Sequence, residues 1–178
     1  MLIRIATACT LAMALIAPAL HAGTHTDFHK AAQVSNLMSR VKSNAVDIRE
    51  QAGRLRSYNR TPDLYSWELH ADELNRVRGE LDRLAGLIKD LKALEPNMTL
   101  RQSAAFNQVV TSSAKASDAA QNAIKILNTH KEKLRVASPD YEKAVNGIYD
   151  NADEIAAHAD TVEAWSDLIQ DLKDASDD

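Results

Sequence analysis

The stretch from Trp67 to Leu91 carries the strongest pattern in this chain, because a large apolar residue stands at almost every step of three and four. The seam consists of Trp67, His70, Leu74, Val77, Leu81, Leu84, Ile88 and Leu91. Charged residues fill most of the positions between these, which is the heptad pattern of a long amphipathic helix. Such a helix has to bury its apolar stripe against partners, so the rest of the chain must supply other helices.

Composition and helix-end signals extend this prediction to the whole chain. The 178 residues include only 5 glycines and 4 prolines, and no alternation typical of strands is present. Heptad spacing predicts helices over about 27–58, 62–94, 100–136 and 139–173. The connections are short, so sequential helices are expected to be antiparallel. The predicted fold is therefore all-α, an up-down-up-down antiparallel four-helix bundle.

Local capping chemistry places the helix starts. Thr61 followed by Pro62 is a typical N-cap and first-turn pair, and Ser138 followed by Pro139 repeats it. Thr99 with Gln102 is a capping box. The acidic residues 174–178 are expected to fray. The seams predicted for the first and fourth helices run from Ala31 to Leu55 and from Tyr141 to Val162 at steps of three and four. The seam predicted for the third helix runs through Phe106, Val110, Ser113, Ser117, Ala120, Ile124, Leu127, Lys131 and Leu134, with a flanking row of Val109, Ala116, Ala119 and Ala123.

The first 22 residues have the pattern of an export signal rather than of a folded element. Arg4 precedes an apolar run of about a dozen residues, and small residues follow up to Ala22. The expected domain division is a signal peptide at 1–22 and a bundle at 23–178. No second apolar run of membrane-spanning length follows. Cys9, the one cysteine, lies inside this segment, which excludes disulfides and thiolate chemistry from the processed chain.

The charge alternates along the chain from one predicted helix to the next. Residues 23–60, 61–95, 96–138 and 139–178 carry net charges of +4, −3, +4 and −10. Adjacent helices of a square bundle then have opposite signs, which predicts that the first helix contacts the second and fourth and lies diagonal to the third. The acidic fourth helix is expected to pair with the basic helices, with binding of a basic partner as the alternative. The overall negative balance does not favour nucleic acid.

Two stretches resemble a known group of proteins. Residues 75–77 through 91–96, and 123–128 through 138–141, are similar to exported bacterial helical-bundle proteins that carry no assigned function. The resemblance covers about half of the chain beyond residue 22, and the shared motifs are heptads and caps. It implies an exported helical domain and brings no catalytic residues with it.

A copper or nickel site at the amino terminus depends on where the signal is cleaved. Cleavage after Ala22 exposes Gly23, Thr24 and His25, whose amine, amides and imidazole form a square-planar set for Cu(II) or Ni(II). His29 lies one turn further on. Cleavage after Ala19 removes the site, and a histidine at the third position by chance is the alternative explanation.

A second metal hypothesis joins His70 and His130, which are expected at the same end of the bundle, with Glu50 at a similar height. The sequence favours instead a partly buried structural His70 near the rim, beside Trp67, Tyr65 and Tyr58. A purely structural role predicts that His70→Leu is neutral or stabilising. A role in a buried network predicts a loss of about 1–3 kcal/mol.

The sequence offers few other residues that could bind a cofactor or catalyse a reaction. Met38 and His158 are a conceivable axial pair for non-covalent haem, although Met38 is more simply a core residue. No nucleophile–base set, phosphate loop or paired catalytic carboxylates is apparent. The sequence favours a non-enzymatic, cofactor-free binding or scaffold module that acts on a protein or envelope partner in the periplasm or outside the cell. The alternative is a periplasmic metal- or haem-binding bundle.

Overall fold

The computed structural model describes the backbone of residues 24–61, 66–129 and 138–177, and the side chains of 30–61, 66–129 and 138–162. Within these ranges the chain is all-helical, which confirms the predicted fold class. The signal predicted at 1–22 lies outside the described residues. The four helices are α1 (Thr24–Asn59), α2 (Trp67–Leu94), α3 (Leu100–Thr129) and α4 (Pro139–Asp177), and a 3₁₀ turn at Glu95–Asn97 joins α2 to α3.

The start of α2 differs from the prediction. The helix begins at Trp67, where Ser66 Oγ accepts a hydrogen bond from the backbone N–H of Leu69 at 3.3 Å. Thr61, the predicted N-cap, instead donates its hydroxyl hydrogen to the carbonyl of Ser57 at 3.3 Å. The Thr61 hydroxyl therefore belongs to the end of α1, and the serine takes the capping role.

The other helix starts follow their capping chemistry. Thr99 and Gln102 form the predicted capping box, with reciprocal hydrogen bonds of 2.9 and 3.2 Å. Ser138 Oγ caps α4 by accepting from the N–H of Tyr141 at 3.2 Å. At the other end α4 continues to Asp177 instead of fraying from residue 174, and no glycine or proline stands there to stop it. The last part of the predicted third helix, 130–136, lies outside the described residues.

The core is built from the predicted seams with a few shifts. In α2, Trp67 and Ile88 are half-buried, and Leu87 is buried beside the seam. In α3, Val110 is 38% exposed, which contradicts its place in the predicted seam, and the flanking Val109 is fully buried. The stripe of α3 has rotated toward the flanking row. The α1 seam is buried as predicted from Val34 to Leu55, and so is the α4 seam from Tyr141 to Val162.

Each helix packs against two others. In the described part of the chain α1 has extensive contacts with α2 and α4, and α3 has contacts with α2 and α4. Two ion pairs join basic α1 to acidic α4, between Lys42 and Asp160 and between Arg49 and Asp153 at 2.6 Å. The expected pairing of opposite charges is thereby confirmed at these positions. Exposed pairs of this kind are worth only about 0–1 kcal/mol each, so they select neighbours more than they add stability.

A glycine brings α3 and α4 close together. A Cβ built on Gly147 would lie 3.2 Å from Cβ of Ala119, whereas one built on Gly53 would meet only the ring of Tyr149 at 3.8 Å. Both glycines are inside helices, where alanine is favoured by about 0.5–1 kcal/mol. We expect Gly53→Ala to stabilise the protein by that amount.

For Gly147→Ala we expect no gain or a loss, since Ala119 has to move. Denaturant unfolding of both variants checks this contrast. An equal gain at both positions would contradict this expectation. In a protein that already carries Ala119→Gly, Gly147→Ala should give the full gain relative to the Ala119→Gly variant.

Candidate functional site

His70 lies in a buried aromatic cluster formed by three helices. Its side chain is fully buried, and a hydrogen bond of 2.9 Å joins its Nδ1 to the hydroxyl of Tyr141, which is fully buried on α4. The rings of Tyr58 on α1 and Tyr141 both meet the imidazole edge-on, with centroids at 5.7 and 5.5 Å. The prediction that His70 is only partly buried is therefore wrong, whereas its predicted contact with Tyr58 is confirmed. Nearby, the indole N–H of Trp67 donates to the carbonyl of Leu127 at 3.2 Å and ties α2 to α3.

Burial changes the acid–base behaviour of His70. Desolvation disfavours the imidazolium ion and lowers the pKa of His70 to about 4. The ring is thus neutral at pH 7, and it shares one hydrogen bond with Tyr141. Its observed partners are aromatic side chains, so the contacts resemble a structural polar network more than a metal site.

The other histidines of the metal hypotheses lie where no side-chain geometry is described. His25 and His29 fall in the first turns of α1, and His130 lies beyond Thr129, the last described residue of α3. These copper and two-histidine hypotheses stay predictions. Among the described residues, no three or more His, Cys, Asp or Glu side chains are grouped so as to hold a metal ion.

The helix register separates the conceivable haem ligands. The ion pairs place Lys42 level with Asp160 and Arg49 level with Asp153. Met38 is then about six residues, or roughly 9 Å along the helix axis, from the level of His158. Met38 is fully buried in the apolar core, whereas His158 is half-buried at its edge. The two residues are poorly placed for one iron.

A repeated polar arrangement lines the seam between α1 and α2. Glu73 is 5% exposed, and its Oε1 accepts hydrogen bonds from Arg54 at 3.1 Å and from Arg76 at 3.4 Å. One heptad later, Glu80 accepts from Asn44 at 2.7 Å and from Arg83 at 2.7 Å. Each carboxylate therefore links an arginine three residues on in α2 to a side chain of α1.

This arrangement follows from a tandem repeat in the sequence of α2. Residues 73–79 and 80–86 both read Glu-Leu-x-Arg-x-x-Gly. In each copy the leucine is buried, the glutamate faces α1, and the glycine is exposed. A search for sequence identity at a spacing of seven would have found the motif, whereas hydrophobicity alone hides it.

Asn44 marks a polar groove along this seam. The groove has a volume of about 410 Å³ and includes Asn44, Asp47, Arg83, Gly86 and Asp90 in its lining. Asn44 is only 6% exposed, and its Oδ1 has no hydrogen-bond donor within the part of the chain described. Buried acceptors of this kind are normally satisfied, so something that can donate a hydrogen bond is expected in this groove.

A larger groove of about 630 Å³ runs between α3 and α4. Ala119 and Gly147, which lie close together, both line it. Among the described residues, none of the charged side chains that line this groove forms an ion pair, whereas two ion pairs join α1 to α4. The charged walls consist of Lys115, Asp118, Lys125, Asp140 and Lys143.

Comparison with known proteins found no relative of this chain. No protein family, no characterised protein and no solved structure matches this chain. Of the helices that the structure describes, none has an apolar stretch long enough to cross a bilayer.

Proposed function

We propose that this chain is an exported, non-enzymatic binding module of the periplasm or cell envelope. The observation that carries the proposal is the α3–α4 groove, with three lysines and two aspartates that have no ion-pair partner among the described residues. Exposed charges left unpaired along a groove are available to a ligand, and the excess of lysine favours an acidic one. The partner is a protein segment rich in Asp and Glu.

The proposed architecture is the up-down-up-down antiparallel bundle, with the helices in the ring order α1, α2, α3, α4. The sequence order of contacting residues supports it. Going forward along α1, the partners of Lys42 and Arg49 go backward along α4, and the partners of Asn44 and Arg54 go backward along α2. Between α3 and α4, Ser112 pairs with Glu154 while Ala119 approaches Gly147, which is again a reversed order.

Export is supported by residues 1–22, whose basic residue, apolar run and small-residue end are typical of a secretory signal. The intact mass of the protein from the exported fraction tests this. A chain that begins at Gly23 is the expected result. A full-length chain retained inside the cell would contradict export.

Site-specific photo-cross-linking in the source organism tests the binding surface. A photoreactive side chain at Asn122, which lines the α3–α4 groove, is expected to capture a partner. The same probe at Asp150, which is exposed on α4 outside that groove, is the matched control. Reversing Lys115, Lys125 and Lys143 to Glu should abolish capture. Equal capture at both probe positions, or capture that survives the reversal, would reject an acidic partner in this groove.

A further inference from the structure

The outer face of α2 carries a stripe of small residues that are exposed in the described part of the chain. Gly79, Gly86 and Ala93 follow one another at a spacing of seven, and all three are exposed. A Cβ built on Gly79 or Gly86 would meet nothing within 4 Å. A glycine inside a helix is unfavourable relative to alanine, so these two weaken α2 without relieving any contact of the described residues. Small residues at such positions allow close approach of another backbone.

Two further features lie along this face. Asn44, which is nine-tenths buried, lines the groove beside Gly86; its Nδ2 donates to Glu80, and its Oδ1 has no donor in the described ranges. Asp82 and Lys89 flank the stripe on one side at about 100° per residue, and Arg83 and Asp90 flank it on the other. None of Asp82, Lys89 and Asp90 has an ion-pair partner in the part of the chain that the structure describes.

The charges and the small residues are symmetric about Gly86, and we infer that the occupant of this face is a second copy of the chain. If two α2 helices lie antiparallel across a two-fold axis at Gly86, Gly79 of one copy faces Ala93 of the other. Asp82 then reaches Lys89 of the second copy, and Arg83 reaches Asp90 of the second copy. Each pair occurs twice, as an isologous interface requires.

The 28 residues of α2 span about 40 Å, so the stripe from Gly79 to Ala93 and its flanking charges form a contact line about 20 Å long in the middle of that helix. The α3–α4 groove lies on other helices, so this inference does not depend on the proposed acidic partner.

Charge reversal with sedimentation velocity tests the interface on the mature protein. The wild type is expected to be a dimer at micromolar concentration. By symmetry Asp82→Lys turns two attractive contacts into two repulsive ones, and we expect the dimer dissociation constant to rise about tenfold or more. Lys89→Asp should do the same. The double variant Asp82→Lys with Lys89→Asp should restore the dimer, because the pairs are re-formed with reversed polarity.

Two controls separate the interface from the fold. Asp150→Lys makes the same charge change on the exposed face of α4 and should leave the dimer unchanged. Gly86→Leu fills open space in the monomer, so its helical circular dichroism and unfolding should stay at least as stable as wild type while the dimer is lost. A monomeric wild type at about millimolar concentration would overturn the inference. A dimer that survives both Asp82→Lys and Gly86→Leu, or is not restored in the double variant, would also overturn it.

Discussion

Acidification from pH 7 to pH 4 is expected to remove about 3 kcal/mol of stability through His70 alone. The pKa of the buried imidazole is lowered from 6.5 to about 4 by desolvation, while the unfolded chain keeps an ordinary histidine. Between these two values the unfolded state binds more protons, so the free energy of unfolding falls as the pH falls. The loss should begin below about pH 6.5, reach about 2 kcal/mol near pH 5, and level off below pH 4.

The variant His70→Leu isolates this contribution from that of the carboxylates. At pH 7 it should be less stable by about 1–3 kcal/mol, because Tyr141 loses its hydrogen bond with the imidazole. The free energy of unfolding of the variant should then fall less steeply on acidification than that of the wild type. The two curves of stability against pH should therefore converge near pH 5. Urea unfolding at a series of pH values gives both curves. Parallel curves would show that the folded and unfolded histidines titrate alike, against the expectation.

Leu84→Ala should lower the free energy of unfolding by about 2–5 kcal/mol. Leu84 is fully buried in the α2 seam. Truncation removes the transfer free energy of the side chain and leaves a cavity.

Leu69→Ala is the matched control in the same helix. Leu69 is 41% exposed, so its truncation should lower the free energy of unfolding by no more than about 0.5–1 kcal/mol. Guanidinium unfolding with a common m-value compares the two variants. A loss below about 1 kcal/mol at Leu84 would mean that the helical core collapses around the truncated side chain.

Features encoded within a few residues were predicted well from the sequence. The capping box of Thr99 and Gln102 and the cap at Ser138 depend on hydrogen bonds that span only three residues. The α1 and α4 seams follow from strict periodicity, and the pairing of basic α1 with acidic α4 follows from net charge.

Features that depend on partners far along the chain were not predicted. The position of His70 in the core is set by Tyr141, which is 71 residues away and on another helix. Two hydroxyl residues compete to start α2, and capping propensity alone does not choose Ser66 over Thr61. The shift from Val110 to Val109 reflects a small rotation of α3, to which periodicity is insensitive.

The tandem repeat in α2 also has a consequence for folding fidelity. Because residues 73–79 and 80–86 share four of their seven residues, a shift of α2 along α1 by one heptad would still place a glutamate, a leucine and a glycine on the same three faces. Such a slipped alignment is a low-energy competitor, and regular heptads have no means of rejecting it. The contacts of His70 with Tyr141 and of Trp67 with the Leu127 carbonyl have no counterpart seven residues later. We expect these two hydrogen bonds to fix the register of α2 against its neighbours, in the way that a single buried polar residue does in a coiled coil.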